Sequence, residues 1–346
     1  MKKRSVVNLI KYHSEKNDIA FRDEAESIAK DFDREGDSEI AGYIMSLLSD
    51  KNVFFPQIEE TTQSFFERVE LKNDNLWLPD EITRDLLGIV NAVSFRNGIN
   101  KFLFQGRPGT GKTEAVKQVA RILKRDVFMV NFAGLVDSKL GNTAKNITDL
   151  FREINHFAHP QNLIILFDEI DAIALDRTNQ QDHREMGRAT SGLLREMDRM
   201  NDEIILIATT NLFKYFDKAL IRRFDAVIDF DRYTDEDLLE IGKNLVDRYM
   251  KEFHLMNKDK KLFKKIYSKK TNEFSPGEIK NIIKTSVAFS NPEIEGDYLR
   301  RIYEAFCGKI PEQAKILQEM GFTVREIGVL TGRSKSSVDR ELRESV

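Results

Sequence analysis

Four apolar runs of strand length, residues 102–104, 127–131, 163–167 and 204–208, are separated by stretches of helical spacing, and that alternation governs what this chain can become. Strands joined through helices lie parallel, and a parallel sheet takes a helical cover on both faces. The same spacing predicts helices over 78–97 and 113–124. After residue 231 the strand-length runs stop. Helical patterns alone continue over 235–253, 260–267, 277–289 and 297–306, which predicts a second, helical subdomain.

At the other end, Val6, Leu9 and Ile10, then Phe21, Ala25, Ile28 and Phe32, then Ile40, Ile44, Leu47 and Leu48 fall at helical spacing. They predict a three-helix unit with breaks at Asn17-Asp18 and at Glu35-Gly36-Asp37. Pro56, many charges and the lone Trp77 make 51–77 a connector. The expected division is therefore 1–50 helical, 51–77 linker, 78–231 α/β, 232–306 helical lid and 307–346 tail. The length of 346 residues agrees, at one domain per ~150 residues.

Composition narrows the class. Lys and Arg total 54 against 57 Asp and Glu, so there is no overall basic field, and any nucleic-acid contact must be local. The single cysteine, Cys307, forms no intramolecular disulfide and no thiolate metal cluster, which fits a reducing cytosol. No apolar run approaches the ~20 residues of a membrane span, and the N-terminus turns polar too soon for a signal peptide, so the reading is cytoplasmic with no membrane partner.

Residues 106–113, Gly-Arg-Pro-Gly-Thr-Gly-Lys-Thr, fit G-x-x-x-x-G-K-[ST] between a predicted strand and a predicted helix. In such a loop the backbone through Gly106, Pro108, Gly109, Thr110 and Gly111 wraps phosphate oxygens, and the helix behind it aims its N-terminal dipole at the same charge. Lys112 is expected on the β- and γ-phosphates of ATP, and the Thr113 hydroxyl on Mg²⁺. The run 163–167 then delivers Asp168-Glu169 at a strand end, where a parallel sheet presents its ligand site. Asp168 is expected to hold Mg²⁺, mostly through water, and Glu169 to polarise the attacking water. Turn chemistry alone is the competing reading of the two acids.

With these residues in place, 78–306 resembles the AAA ATPases, a branch of the AAA+ superfamily of ring ATPases. The likeness rests on GRPGTGKT, on LFDEIDAIA at 166–174, on Ile-Ala-Thr-Thr-Asn at 207–211 and on Asp-Lys-Ala-Leu-Ile-Arg-Arg-Phe-Asp at 217–225. It implies an α/β fold: a P-loop NTPase parallel sheet with a helical lid, flanked by small all-α units at both ends. It also implies that Asn211 positions the attacking water. Arg222 and Arg223 correspond to arginines inserted into a neighbouring subunit's site, so hydrolysis requires assembly as a homo-oligomer, a hexameric ring. An arginine supplied in trans is worth ~10³ to 10⁵ in rate. A surface salt bridge is the alternative for that pair.

Phe-Ser-Pro-Gly-Glu-Ile at 274–279 resembles the family's lid turn, which places Gly277 near the nucleotide by close backbone approach; a plain helix start is the rival. The stretch 135–146 resembles the first pore loop, with Lys139 at the aromatic position, then Leu140 and Gly141. A lysine there favours an acidic peptide or a phosphate backbone over intercalation between side chains. A second pore loop falls near 177–188. There is no H-E-x-x-H, which excludes the zinc-protease branch in this chain.

Residues 314–342 resemble a helix-turn-helix. Thr323 caps a helix with Ile327 and Leu330 inward, Gly332 makes the turn, and Ser334 caps a second helix with Val338 and Leu342 inward. As a DNA reader it would use Arg333, Lys335, Ser336, Ser337 and Arg340. Yet 309–346 holds seven Lys or Arg against six Asp or Glu, a weak footprint, and a protein-docking or packing module is the alternative. The N-terminal helices resemble adaptor domains that recruit a protein partner, with a helical brace as the rival. The leading expectation is a ring ATPase that remodels or translocates a protein substrate. The alternatives are a DNA-associated ATPase switch in replication, transposition, transcription or defence, and a regulatory ATPase acting with a separate protease.

Overall fold

The structure is a computed structural model that describes residues 3–14, 18–35, 37–48, 65–71, 76–95, 98–135, 142–157, 159–171, 180–255 and 258–344. Lys139, Leu140 and Gly141, expected in a pore loop, lie outside the described residues, as does 177–179 of the second loop.

Two compact units result, 1–63 and 64–346. The first holds α1 (Lys3–Ser14), α2 (Asp18–Glu35) and α3 (Ser38–Leu48), around the buried Ala25, Ile28, Ala29 and Ala41. The Asn8 amide donates to Glu24 Oε2 at 3.2 Å between the first two helices.

In chain order the second unit contains β1 (Phe66–Arg68), α4 (Asp80–Ser94), β2 (Lys101–Gln105), α5 (Lys112–Leu123), β3 (Asp126–Val130), α6 (Phe132–Leu135), α7 (Asn142–Asn155) and β4 (Leu163–Phe167). It continues with α8 (Gln180–Asp198), β5 (Ile205–Thr210), α9 (Lys218–Ile221) and β6 (Ala226–Asp229). The helical part is α10 (Asp235–Glu252), α11 (Lys260–Tyr267), α12 (Pro276–Ala288), α13 (Asp297–Cys307), α14 (Ala314–Glu319), α15 (Val324–Thr331) and α16 (Lys335–Glu344).

The sheet order is β1-β3-β4-β5-β2-β6. β2 to β6 are parallel, and β1 adds an antiparallel edge, Phe66 opposite Val130. Two strands were not visible as apolar runs. β1 lies inside the expected linker, and only Phe66 of its three residues is buried. β6 buries only Ile228. Edge strands face solvent on one side, so their sequences carry few apolar residues.

β4 shows why the sheet is closed on both faces. Leu163, Ile165 and Phe167 enter one core, with Leu150, Phe151 and Leu193 of α7 and α8. Ile164 and Leu166 enter another, with Leu86 and Ile89 of α4 and Val116 and Val119 of α5. All five residues of β4 are buried, each burial contributing roughly 1.5–3 kcal/mol.

The lid and the tail share a third core. Tyr298, Leu299, Tyr303 and Phe306 of α13 join Leu317, Phe322, Ile327, Leu330, Val338 and Leu342 in one cluster. The Tyr303 and Phe322 rings meet edge-on at 6.0 Å, and Lys265 Nζ donates to Gly321 O at 3.0 Å and Glu326 Oε2 at 2.6 Å. Ile327, Leu330, Val338 and Leu342 thus point inward as the spacing required, but the face that receives them includes the lid.

Candidate nucleotide site

The carboxyl ends of β2, β4 and β5 stand side by side, with Gln105 opposite Thr210 and Phe167 opposite Ala208. Each strand continues into one part of the site: β2 into the glycine loop, β4 into Asp168-Glu169, β5 into Asn211.

In the glycine loop, Gly109 and Gly111 take positive φ (+78° and +93°), and α5 begins at Lys112. Lys112 is buried. Its Nζ donates to Gly106 O at 2.6 Å, Arg107 O at 3.0 Å and Asn211 Oδ1 at 2.7 Å. Burial pushes its pKa below the ordinary 10.5, against the pull of Asp231, Asp168, Asp171 and Glu169. A desolvated ammonium ringed by carbonyls is a site for a stronger anion than a carbonyl dipole.

Asp168 Oδ1 accepts from the Thr113 hydroxyl at 3.0 Å and from the Thr209 hydroxyl at 2.7 Å. Among the described residues no cluster of three or more His, Cys, Asp or Glu forms a self-sufficient metal cage. A hydroxyl and one carboxylate at contact distance do fit Mg²⁺, which keeps several waters and takes its remaining ligands from phosphate.

Glu169 sits at φ +52°, a conformation that costs a non-glycine residue on the order of 1–3 kcal/mol. Thr209 holds it there: the Glu169 N–H donates to Thr209 Oγ1 at 2.9 Å and the Ile170 N–H to Thr209 O at 3.1 Å. The Asn211 amide then bridges the site, accepting from Lys112 and donating through Nδ2 to Glu169 Oε1 at 3.2 Å. Asp171 fixes the end of β5, accepting from the Thr210 hydroxyl and, at 3.1 Å, from the Asn211 N–H. Thr209 and Asp171 were missed in the sequence. The available signal was two hydroxyls preceding Asn211 and a third acid in Asp-Glu-Ile-Asp.

The lid closes the other wall. Gly277 N–H donates to Gly109 O at 2.8 Å, and a Cβ on Gly277 would stand 2.9 Å from Gly109 Cα. Gly277 also lies in the first turn of α12, which starts with a reciprocal Ser275–Glu278 cap and Pro276. The helix-start reading describes this turn, and the close backbone approach of Gly277 is to Gly109 of the glycine loop. Tyr233 donates its hydroxyl to Thr110 O at 2.7 Å, and burial pushes the hydroxyl well above its usual range.

Between these walls lies a cavity of about 330 Å³, within the ~300–1,000 Å³ of small-molecule sites. Lys112, Thr113, Asp168, Glu169, Thr209 and Asn211 give it a polar lining; Leu76, Trp77, Tyr233, Ile241, Leu245 and Pro276 give it an apolar one. Pro108, Gly109, Thr110, Gly111 and Gly277 line it too, with Arg248 and Lys280 of the lid. Leu76 and Trp77 belong to the segment read as a linker.

The remaining expected residues lie elsewhere. Arg222, after α9, is exposed. Arg223 donates from Nε and Nη2 to Asp198, both at 3.2 Å, and from Nη1 to Ala219 O. Neither lines the cavity. In the tail, Arg333 is paired with Glu341, Lys335 and Ser336 are exposed, Ser337 is half-buried with its N–H on Ser334 Oγ, and Arg340 is exposed beside Glu344.

Residues 102–232 match the family model described as ATPase family associated with various cellular activities (AAA). The uncharacterised AAA family ATPase y4kL of Sinorhizobium fredii is 37% identical over 183 residues, 50% of this chain and 54% of that one. A Methanothermobacter thermautotrophicus protein named as a 26S proteasome regulatory subunit homologue is 33% identical over 155 residues, 44% of this chain and 40% of that one. The chain spans about half the length of the curated relatives it matches. The structure of C. elegans PCH-2 shares the fold, with TM-score 0.55 and 19% identity over 67% of this chain and 70% of that one. No helix among the described residues is long and apolar enough to cross a membrane.

Proposed function

Because this chain belongs to the AAA family of ATPases, we propose that it hydrolyses ATP in the cleft between sheet and lid and uses the cycle to remodel or translocate a protein substrate. The observation that carries the reading is the chain Lys112–Asn211–Glu169, in which one amide touches both the phosphate-loop lysine and the carboxylate. Phosphates entering the loop offer Lys112 charged oxygens in place of Gly106 O, Arg107 O and Asn211 Oδ1. That exchange releases the Asn211 carbonyl, and the amide and Glu169 then share the attacking water. Thr113 and, through water, Asp168 would hold Mg²⁺, which would supply charge neutralisation on the phosphates. Leu76, Trp77 and Tyr233 supply the apolar wall for the base.

Arg222 lies outside the cavity of its own chain, which supports delivery into a neighbour's site in a hexameric ring; Arg223 is assigned with it. The name of the M. thermautotrophicus relative supports a protein substrate, with the N-terminal helices recruiting it in the cytoplasm. Glu169→Gln tests the chemistry: ATP binding persists and turnover collapses, and a native pull-down on this trapped form captures the substrate. Turnover at the wild-type rate overturns the assignment of the base.

A second reading, a DNA-associated switch, is favoured by the capped helices α15 and α16 and the exposed Lys335, Ser336 and Arg340. Deleting the tail would break the lid core, so Lys335→Glu with Arg340→Glu is the cleaner test. Loss of DNA-stimulated hydrolysis supports this reading.

A further inference from the structure

A dense run of positive charge lies outside the cleft. Residues 258–270 hold seven lysines and one acid, Asp259, in a chain whose net charge is -3. Four of the lysines have carboxylate partners. Lys258 and Lys260 share Asp247, Lys265 meets Glu326 at 2.6 Å, and Lys270 meets Asp235 at 3.0 Å. Asp259 is spent on the backbone N–H groups of Lys261 and Leu262. Lys261, Lys264 and Lys269 are exposed, with no ion-pair partner among the described residues.

α11 forces this arrangement. It buries Leu262, Phe263, Ile266 and Tyr267 and so turns Lys261 and Lys264 outward, three residues apart. Like charges at that spacing repel, so the face is unfavourable until an anion is supplied. An ordinary solvated face mixes signs, as α16 does by setting Arg340 against Glu344 and Arg343 against Asp339. α11 contains no acid. None of the exposed large apolar side chains falls between 258 and 270, so the face lacks the anchors of a protein interface. Lys265, bonded to Gly321 O and Glu326, fixes α11 to the helix-turn-helix-like tail.

We propose that the basic lid segment 258–270, through the outward-facing Lys261 and Lys264 of α11 and the exposed Lys269 beyond its end, binds the phosphodiester backbone of nucleic acid without reading bases. The cations that the tail helices neutralise internally are thus supplied by the lid beside them. This assignment is independent of the nucleotide chemistry.

The test is fluorescence anisotropy of the full chain with a labelled 20-bp DNA duplex, and in parallel a single-stranded RNA, from about 50 to 200 mM salt. Three phosphate contacts give a slope of about -2.7 in log K against log salt, roughly 40-fold in affinity over that range. The Lys261→Ala, Lys264→Ala, Lys269→Ala variant loses that part of the slope, and the triple Lys→Arg variant keeps it. Trp77, the single tryptophan, lines the cleft, and its response to ATP verifies that each variant is folded. Binding unchanged in the triple Ala variant overturns the proposal. So does a poly-glutamate chain that competes as strongly as the duplex, which would assign the face to an acidic protein. A duplex preference or an RNA preference each supports it and names the source of the phosphates.

Discussion

Replacing Gly277 by alanine separates its two roles, because they predict opposite signs. As a first-turn residue of α12, glycine is a poor helix former, and alanine would stabilise the lid by up to ~1 kcal/mol. As the point where the lid meets the phosphate loop, it has no room for a methyl group: the new Cβ would lie 2.9 Å from Gly109 Cα and 3.0 Å from Gly109 O. Both are backbone atoms, so the loop itself must move, and the 2.8 Å bond from Gly277 N–H to Gly109 O is strained or lost. Overpacking of this kind costs about 1–3 kcal/mol. Here the displaced element is the one that wraps the phosphates, so the cost is read in ATP affinity as a loss of ~5- to 150-fold. Trp77 fluorescence gives the Kd, and thermal unfolding gives the stability. Gly242→Ala is the control. Its Cβ would stand 2.6 Å from Phe263 Cζ inside the lid core, so it lowers Tm and leaves the Kd nearly unchanged. A Gly277→Ala protein that is more stable and binds ATP as tightly as wild type refutes the close-approach argument.

Glu169→Gln retains ATP binding while kcat drops by ~10² to 10⁴, measured by phosphate release under saturating ATP. In mixed assemblies of Arg222→Ala chains with Lys112→Ala chains, some activity returns, since each chain supplies what the other lacks; absence of rescue in verified mixtures counts against a trans arginine. Phe322→Ala removes a buried ring of the shared core at a cost of about 3–5 kcal/mol and broadens or splits the lid transition; were the tail an independent module, only the tail would melt early. Stability falls on the acid side. The Ser275 backbone N–H holds Glu278, and the Ala314 backbone N–H holds Glu341, below the ordinary carboxylate value of 4.5. A depressed carboxylate contributes fully above 4.5, and its contribution is lost as pH drops through the folded value. Tm measured from pH 7 to 3 shows a steep acid limb that Glu278→Gln and Glu341→Gln each flatten; an unchanged limb removes these groups from the explanation.

The interior of the sheet was legible because β4 must satisfy two cores at once, which takes a continuous apolar run such as Leu-Ile-Ile-Leu-Phe, and its strand length and the alternation with helical stretches set it apart from a buried helix. The edges were not. Phe66 and Ile228 are single buried residues in short strands, and periodicity needs more than one point. The linker reading of 51–77 failed at its end for a related reason. Leu76 and Trp77 are not part of a helix or strand, so no period marks them, yet both line the cavity.

The site divides along the same physical line. The glycine loop, Asp168 and Glu169 could be named from residue types whose chemistry is local to a strand end, and Asn211 from the family resemblance. What the sequence does not contain is the coupling between neighbouring strands. Thr209 is one residue of a buried β5, and the Thr-Thr pair before Asn211 fits an ordinary strand end as well as a site. Only the parallel pairing of β4 with β5 sets its hydroxyl against Asp168 and its carbonyl under Ile170, and so holds Glu169 at a positive φ. Asp171 then repays the same strand by fixing Thr210 and the Asn211 N–H. The strained carboxylate and the amide that faces it are therefore held by one pair of strands. A change at Thr209 or Asp171 displaces both, although neither residue is assigned a direct contact with ATP.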